Sequence, residues 1–251
     1  MNNITLEIQN KIAILRLNRP EKLNSFNTEM AKQLQNYLDY LSNDENVNCI
    51  IITGEGKAFC AGQDLQEAIG ENAPSIDSIV RNTYNPIITK IKNNNKPVIA
   101  MVNGVAAGAG ANIAFACDIV IAAETASFIQ AFSKIGLIPD SGGTYFLPRL
   151  IGAKAIALML TGDKLSAIEA EKMNLIYKAV PQEQLLENTL EIATKISDMS
   201  KTAMTLTKKL VNATWSNTLE EQLQLEEDYQ KLAGDSPEYK AGVEAFLNKS
   251  K

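Results

Sequence analysis

The chain contains no histidine. That absence excludes Ser-His-Asp and Cys-His nucleophile schemes and removes the usual proton shuttle at neutral pH. Acid–base chemistry must fall to a carboxylate, Lys, Tyr, Cys or the backbone. Cysteine is scarce as well. Cys49, Cys60 and Cys117 show no CxxC spacing, and three such residues fit neither a disulfide framework nor a zinc site. No metal is expected. Cys49 and Cys117 lie in apolar runs and read as buried thiols. There is no basic tract and the net charge is −5, which argues against nucleic acid or an anionic membrane as the main partner. No apolar run reaches the roughly 18 residues a membrane helix needs, and MNNITLEIQN lacks the order of a signal peptide. A cytoplasmic protein is expected.

What is present is enough for a folded core. The 251 residues are 45% hydrophobic and 21% charged, fitting one domain or one domain with a small appendage. Ile4–Ile8 and Ile12–Leu17 predict two strands joined as a hairpin. Asn27 or Thr28 can cap a helix whose stripe is Met30, Leu34, Leu38 and Leu41. Val47–Thr53, Val98–Val102 and Asp118–Ala122 read as buried strands, and Ile76–Lys92 as a helix kinked or split at Pro86. Strands followed by helices imply an α/β class. After Gly142 strand signals nearly vanish, and helical stretches fit 152–161, 166–173, 182–197, 200–214, 218–233 and 237–249. The expected division is an α/β core over 1–195 and a helical C-terminal region over 196–251.

Three stretches could carry chemistry. In FCAGQDL (59–65) a loop follows a strand, and Gly62 would let the backbone N–H of Gln63 approach a ligand oxygen. A plain strand-to-helix connection is the bland alternative. In GVAAGAGAN (104–112) small residues lead into a helix start, where the Ala109 N–H would be a second donor. Two such N–H groups on one carbonyl stabilise an enolate. The competing readings are a tightly packed helix or a dinucleotide fingerprint. The latter lacks its third glycine, because Ile113 stands there. The third stretch is IGLIPDSGG (135–143), where Asp140 is a lone carboxylate between an apolar run and two glycines. It could cap a helix starting near Ser141, or it could be a base.

FCAGQDL, NGVAAGAGANIA with CDIVIAA behind it, and FSKIGLIPDSGGTYFLPRLIG occur in this order, flanked by NRPEKLNSF and LTGDKLSAIEAEKMNLIYKAV. Together they resemble the crotonase, or enoyl-CoA hydratase/isomerase, superfamily over nearly the whole chain. Within it, FCAGQDL, AAGAGAN, AFSKIGLIPD and GGT before LPR resemble the ring-epoxide isomerases of phenylacetate breakdown.

The resemblance implies a spiral of ββα repeats with a helical C-terminal trimerisation region, and a homotrimer or dimer of trimers. It places the oxyanion donors at Gln63 and Ala109. It puts Ala61 near the adenine of coenzyme A, with Gly62 and Gly108 lining the approach and Asp64 shaping the loop. Lys22 and Lys57 become phosphate neighbours. Coenzyme A is then part of the substrate and no separate cofactor is implied. Hydratases of the family carry two glutamates, and Asn112 and Phe132 occupy those places here. Neither can act as an acid or base, so water addition by that route is disfavoured. Asp140 falls on a third position, which bears the acid–base carboxylate in several isomerases. Phe132, Ile138 and Pro139 are expected to wall it off from water and raise its pKa. The resemblance therefore implies an acyl-CoA isomerase, with the ring-epoxide of phenylacetyl-CoA converted to the oxepin as preferred reaction. A Δ3-Δ2 double-bond shift in enoyl-CoA, a hydratase-like activity and a non-enzymatic acyl-CoA-binding scaffold are the alternatives.

Overall fold

The computed structural model describes residues 2–70 and 73–249. Met1, Ser250 and Lys251, at the ends of the expected division, and Glu71 and Asn72, inside its first part, lie outside the described residues. The chain opens with the hairpin β1 (Ile4–Gln9) and β2 (Ile12–Leu17), paired antiparallel with Ile4 opposite Leu17. Asn10 and Lys11 at its tip have positive φ, as a tight hairpin turn requires. Helix α1 (Thr28–Asn43) starts on Asn27, whose side chain accepts from the Met30 N–H. Its stripe of Met30, Leu34, Leu38 and Leu41 is buried as the spacing predicts.

Three units then repeat one order, a long buried strand, a three-residue strand and a helical segment. The first is β3 (Cys49–Gly54), β4 (Ala58–Cys60), α2 (Ile76–Ile79) and α3 (Asn85–Asn93). The second is β5 (Val98–Val102), β6 (Val105–Ala107) and α4 (Ala109–Ala116). The third is β7 (Ile119–Ala123), β8 (Ser127–Ile129), a 3-10 turn over 131–135 and α5 (Gly143–Ile151). The long strands form one sheet and the short ones another, so the chain spirals between two sheets. The larger sheet has the order β1-β2-β3-β5-β7-β10, with β10 at Lys178–Val180. All its pairings beyond the hairpin are parallel. Every residue of β3 and of β5 is buried, the expected state of a parallel sheet covered on both faces. The smaller sheet runs β4-β6-β8-β9, closed by β9 (Lys164–Ser166) antiparallel to β8.

The remaining elements are α6 (Ala153–Thr161), α7 (Ala167–Lys172), α8 (Leu185–Ser197), α9 (Lys201–Ala213), α10 (Leu219–Gly234) and α11 (Pro237–Lys249). Two features correct the sequence reading. Strands β9 and β10 occur where helices alone were expected. The helix expected over 76–92 is split as expected, but by a wide π turn, Val80–Tyr84, that ends before Pro86 and joins α2 to α3. The Asn85 N–H reaches back five residues to the Val80 carbonyl. Proline cannot donate to the carbonyl four residues earlier, that of Asn82. The Gln35 side-chain amide takes over, donating to the Asn82 and Thr83 carbonyls at 3.0 and 3.1 Å.

Helix α9 is tied to the core by a buried lysine. Lys208 is 8% exposed, and its Nζ donates to the Ile91 carbonyl at 2.9 Å and the Lys96 carbonyl at 3.0 Å. It also pairs with Asp118 Oδ2 at 2.7 Å. Burial lowers its pKa, and the Asp118 charge opposes that shift. Asp118 Oδ2 also accepts the Val98 N–H at 2.8 Å, which fixes the start of β5.

Candidate active site

The loop after β4 and the start of α4 meet at one cleft. Gly62 (φ +92) permits a turn that few other residues adopt, and a Cβ there would sit 3.0 Å from the Ala107 carbonyl and 3.6 Å from the Ala109 nitrogen. The two backbone segments are therefore in direct contact. Phe26 bridges to Gln63, with its N–H donating to the Gly62 carbonyl and its own carbonyl accepting from the Asp64 N–H. Both of those bonds belong to the residues beside Gln63, so the Gln63 N–H itself is left over. Gly108 adopts φ 52 and ψ −127, a region essentially confined to glycine, and so starts α4 with the Ala109 N–H outside the helix's own bonds. Neither N–H finds an acceptor among the described residues.

The cleft, of about 190 Å³, is lined by Ala61, Gly62, Gln63, Gly108, Ala109, Phe132 and Asp140, together with Tyr84 and the apolar Leu65, Ile79, Ile135 and Leu137. Asp140 is the one carboxylate in that lining. Burial raises its pKa, and a hydrogen bond from the Ser141 hydroxyl opposes the rise. The capping alternative does not hold. Helix α5 begins at Gly143, its cap is Gly142, and no side chain caps it.

The hydratase-like positions have different tasks here. Asn112 is fully buried, and its Nδ2 donates to the Asp140 backbone carbonyl at 2.8 Å. Its Oδ1 accepts from Gln130 Nε2 at 2.8 Å. It is a strut under the aspartate loop. A Cβ on Gly143 would lie 2.4 Å from Asn112 Nδ2, so only glycine fits beside that strut.

Not every expected residue reaches the cleft. Lys22 and Lys57 are exposed, and Lys22 is engaged by Gln66 Oε1 at 2.8 Å. Asp64 points away, pairing with Arg19 at 2.8 Å and accepting the Gln66 N–H on its other oxygen. The guanidinium and that N–H hold its carboxyl below the usual range against the effect of burial. Pro139 is outside the lining, and Ile138, expected in the wall, is 81% exposed. The 3-10 turn sends Ile135 and Leu137 to the cleft instead.

Tyr84 was not singled out from the sequence. It is buried, and its hydroxyl donates to Gln63 Oε1 at 2.7 Å. The Gln63 Nε2 faces the Asp64 carbonyl at 3.3 Å, which can only accept. That contact fixes the amide orientation, so the phenol must be the donor. Burial pushes the Tyr84 pKa well above its ordinary value, and it stays protonated. Tyr84 closes the π turn, a kind of turn that recurs at functional sites and that only the structure reveals.

No described helix is long and apolar enough to cross a membrane, and no group of metal-ligating side chains occurs among the described residues. Comparisons with known proteins agree with the geometry. The profile of the enoyl-CoA hydratase/isomerase family matches residues 7–251. The chain is 45% identical to the 1,2-epoxyphenylacetyl-CoA isomerase of Escherichia coli (strain K12), covering 99% of this chain and 97% of that one. It is 37% identical to the mitochondrial enoyl-CoA hydratase of Pongo abelii over 96% of this chain and 83% of the relative. The crystal structure of an enoyl-CoA hydratase from Bacillus anthracis superposes with a TM-score of 0.92 at 35% identity, covering 98% and 96% of the two chains. With its two-sheet spiral and helical C-terminal region, the chain is an enzyme of the enoyl-CoA hydratase/isomerase family and has the crotonase fold.

Proposed function

We propose that the chain is an acyl-CoA isomerase in which Asp140 takes a proton from one carbon of the acyl group and returns it to another. The observation that carries this reading is one carboxylate facing a cleft with two unpartnered backbone N–H groups, those of Gln63 and Ala109. The thioester oxygen accepts from both N–H groups. When Asp140 removes a proton beside that carbonyl, negative charge collects on the oxygen, where the donors already point. One carboxylate suffices because the proton leaves and re-enters on the same group. The adenine and phosphates of coenzyme A lie along the loop containing Ala61, with Lys22 and Lys57 at its exposed edge.

The acyl group we assign is the ring-epoxide of phenylacetyl-CoA, converted to the oxepin. The 45% identical isomerase and the apolar wall of Phe132, Ile135 and Leu137 support it. Hydration is the second reading, because other relatives are hydratases. It is disfavoured because Asn112 is committed at both ends of its amide and Phe132 carries no proton. The test is turnover of ring-epoxide phenylacetyl-CoA against straight-chain 3-enoyl-CoAs, with hydration of crotonyl-CoA alongside. The epoxide is expected to turn over fastest and crotonyl-CoA to be hydrated only weakly. Fast hydration would overturn the isomerase reading. Coenzyme A binding with no turnover of any substrate would make the chain a scaffold.

We further propose a trimer-based assembly. Helix α10 buries none of its residues within the chain, and Leu219, Leu223 and Leu232 on it are 69%, 55% and 56% exposed. A helix with that much uncovered apolar surface needs a partner surface. Light scattering at micromolar concentration should give a mass of three or six chains, and a monomer would refute the assembly.

A further inference from the structure

We propose that Ser141 is a positioning residue for Asp140: its hydroxyl holds Oδ1 of the carboxylate and leaves Oδ2 as the oxygen that takes and returns the substrate proton. The inference rests on Asp140 being the base. The Ser141 hydroxyl donates to Asp140 Oδ1 at 2.8 Å, and no other side chain reaches that carboxylate among the described residues. Ser141 is 1% exposed, so water does not compete for its hydroxyl.

The backbone makes this contact at a cost. Ser141 has φ 52 and Gly142 φ 75, two left-handed residues in succession. Glycine adopts that region freely, whereas a side chain there is strained. A serine at such a place is explained by what its side chain does. The loop is pinned underneath, since the Asp140 carbonyl accepts from Asn112 Nδ2 at 2.8 Å and from the Gly143 N–H at 2.9 Å. With the backbone fixed, the freedom left to Asp140 is rotation of its carboxylate. A hydrogen bond to one oxygen restricts that rotation and stabilises the ionised group.

The proton step balances without a further reactant. The substrate C–H bond breaks, an O–H bond forms on Oδ2, and the electron pair moves onto the thioester oxygen as an enolate. The reverse transfer to the second carbon restores the carboxylate.

The other titratable groups around the cleft make no hydrogen bond or ion pair with the Asp140 carboxylate among the described residues. Tyr84 from the π turn and Cys60 from β4 are both held protonated by burial, Cys60 at about 12. Glu67 accepts the Thr28 N–H at 2.8 Å, and Asp64 is paired with Arg19. Arg149 of α5 stacks on Tyr145, and the Lys134 side chain lies along Gly162.

The test is Ser141→Gly, which removes the hydroxyl and also the conformational strain, so folding is expected to be intact. Ser141→Ala is the second variant. A hydrogen bond to a charged group is a strong one, so the acidic limb of kcat/KM should move upward by about one pH unit in both variants. The Asp140 carboxyl, followed by carbon NMR in the free protein, should move in the same direction. A limb and a carboxyl titration unchanged in Ser141→Gly would overturn the proposal, even if the rate falls. Failure of the base reading looks different: Asp140→Asn would then keep its turnover and its acidic limb.

Discussion

Replacing Asp140 with Asn is expected to lower isomerase turnover by about 10,000-fold, the upper end of general acid–base contributions. The amide keeps the shape, and its oxygen still accepts from Ser141, but it cannot take a proton. Stability should move the other way. Burial raises the Asp140 pKa in the folded chain. A carboxyl of that kind favours the unfolded state as pH rises from its ordinary value, roughly 3.9, through the raised folded value, and the whole penalty is present above that window. The Asn variant should therefore melt above the parent at neutral pH, and the two should converge in acid. Rate against substrate concentration, read beside a melting curve, separates this outcome from misfolding. A variant with near-parental turnover would end the assignment of Asp140 as the base.

Lys208→Met should cost about 3 kcal/mol of stability. It leaves Asp118 without its closest cation, and breaking one side of a buried pair costs roughly 3–5 kcal/mol. The lower figure is chosen because Asp118 keeps the Val98 N–H, with Lys92 still 4.0 Å away. The Ile91 and Lys96 carbonyls lose a donor as well. For a chain of this size the melting temperature should fall by about 6–12 °C at fixed protein concentration. Adding Asp118→Asn should recover part of the loss, since it removes the stranded charge. A shift under 2 °C for Lys208→Met would show that the pair does not secure α9 to the core.

The parts of the fold that depend on long patterns were legible in the sequence. The Met30, Leu34, Leu38 and Leu41 stripe and the runs CIIIT and VIAMV each span enough residues to show a period or a continuous apolar stretch. The strands of the smaller sheet are three residues each, too short to show either, and their partners come from distant parts of the chain. Helix α5 was hidden because Pro148 stands inside it. At the site, glycine patterns pointed to Gln63 and Ala109, and one isolated carboxylate pointed to Asp140. The roles of Asn112 and Ser141 were not legible. Asn112 meets from helix α4 a loop 28 residues further along the chain, and Ser141 turns to its partner from a left-handed backbone that serine rarely adopts.

The π turn over Val80–Tyr84 gives the cleft a place where chain length can change without turning its wall. A π turn holds one residue more than an α turn over nearly the same rise, so it absorbs that residue and leaves the segments on either side in phase. An α-helix advances about 100° per residue. The same extra residue in an unbroken α-helix would therefore rotate Ile79 and all that precedes it by about that angle relative to Ile87 and Ile91, which are anchored in the core. The wide turn spares the cleft that rotation and keeps Ile76 and Ile79 in its lining. Deleting one residue from this turn should close it to an α turn and leave the wall facing the same way. Relatives one residue shorter within this turn should present a similar wall where their cleft residues align.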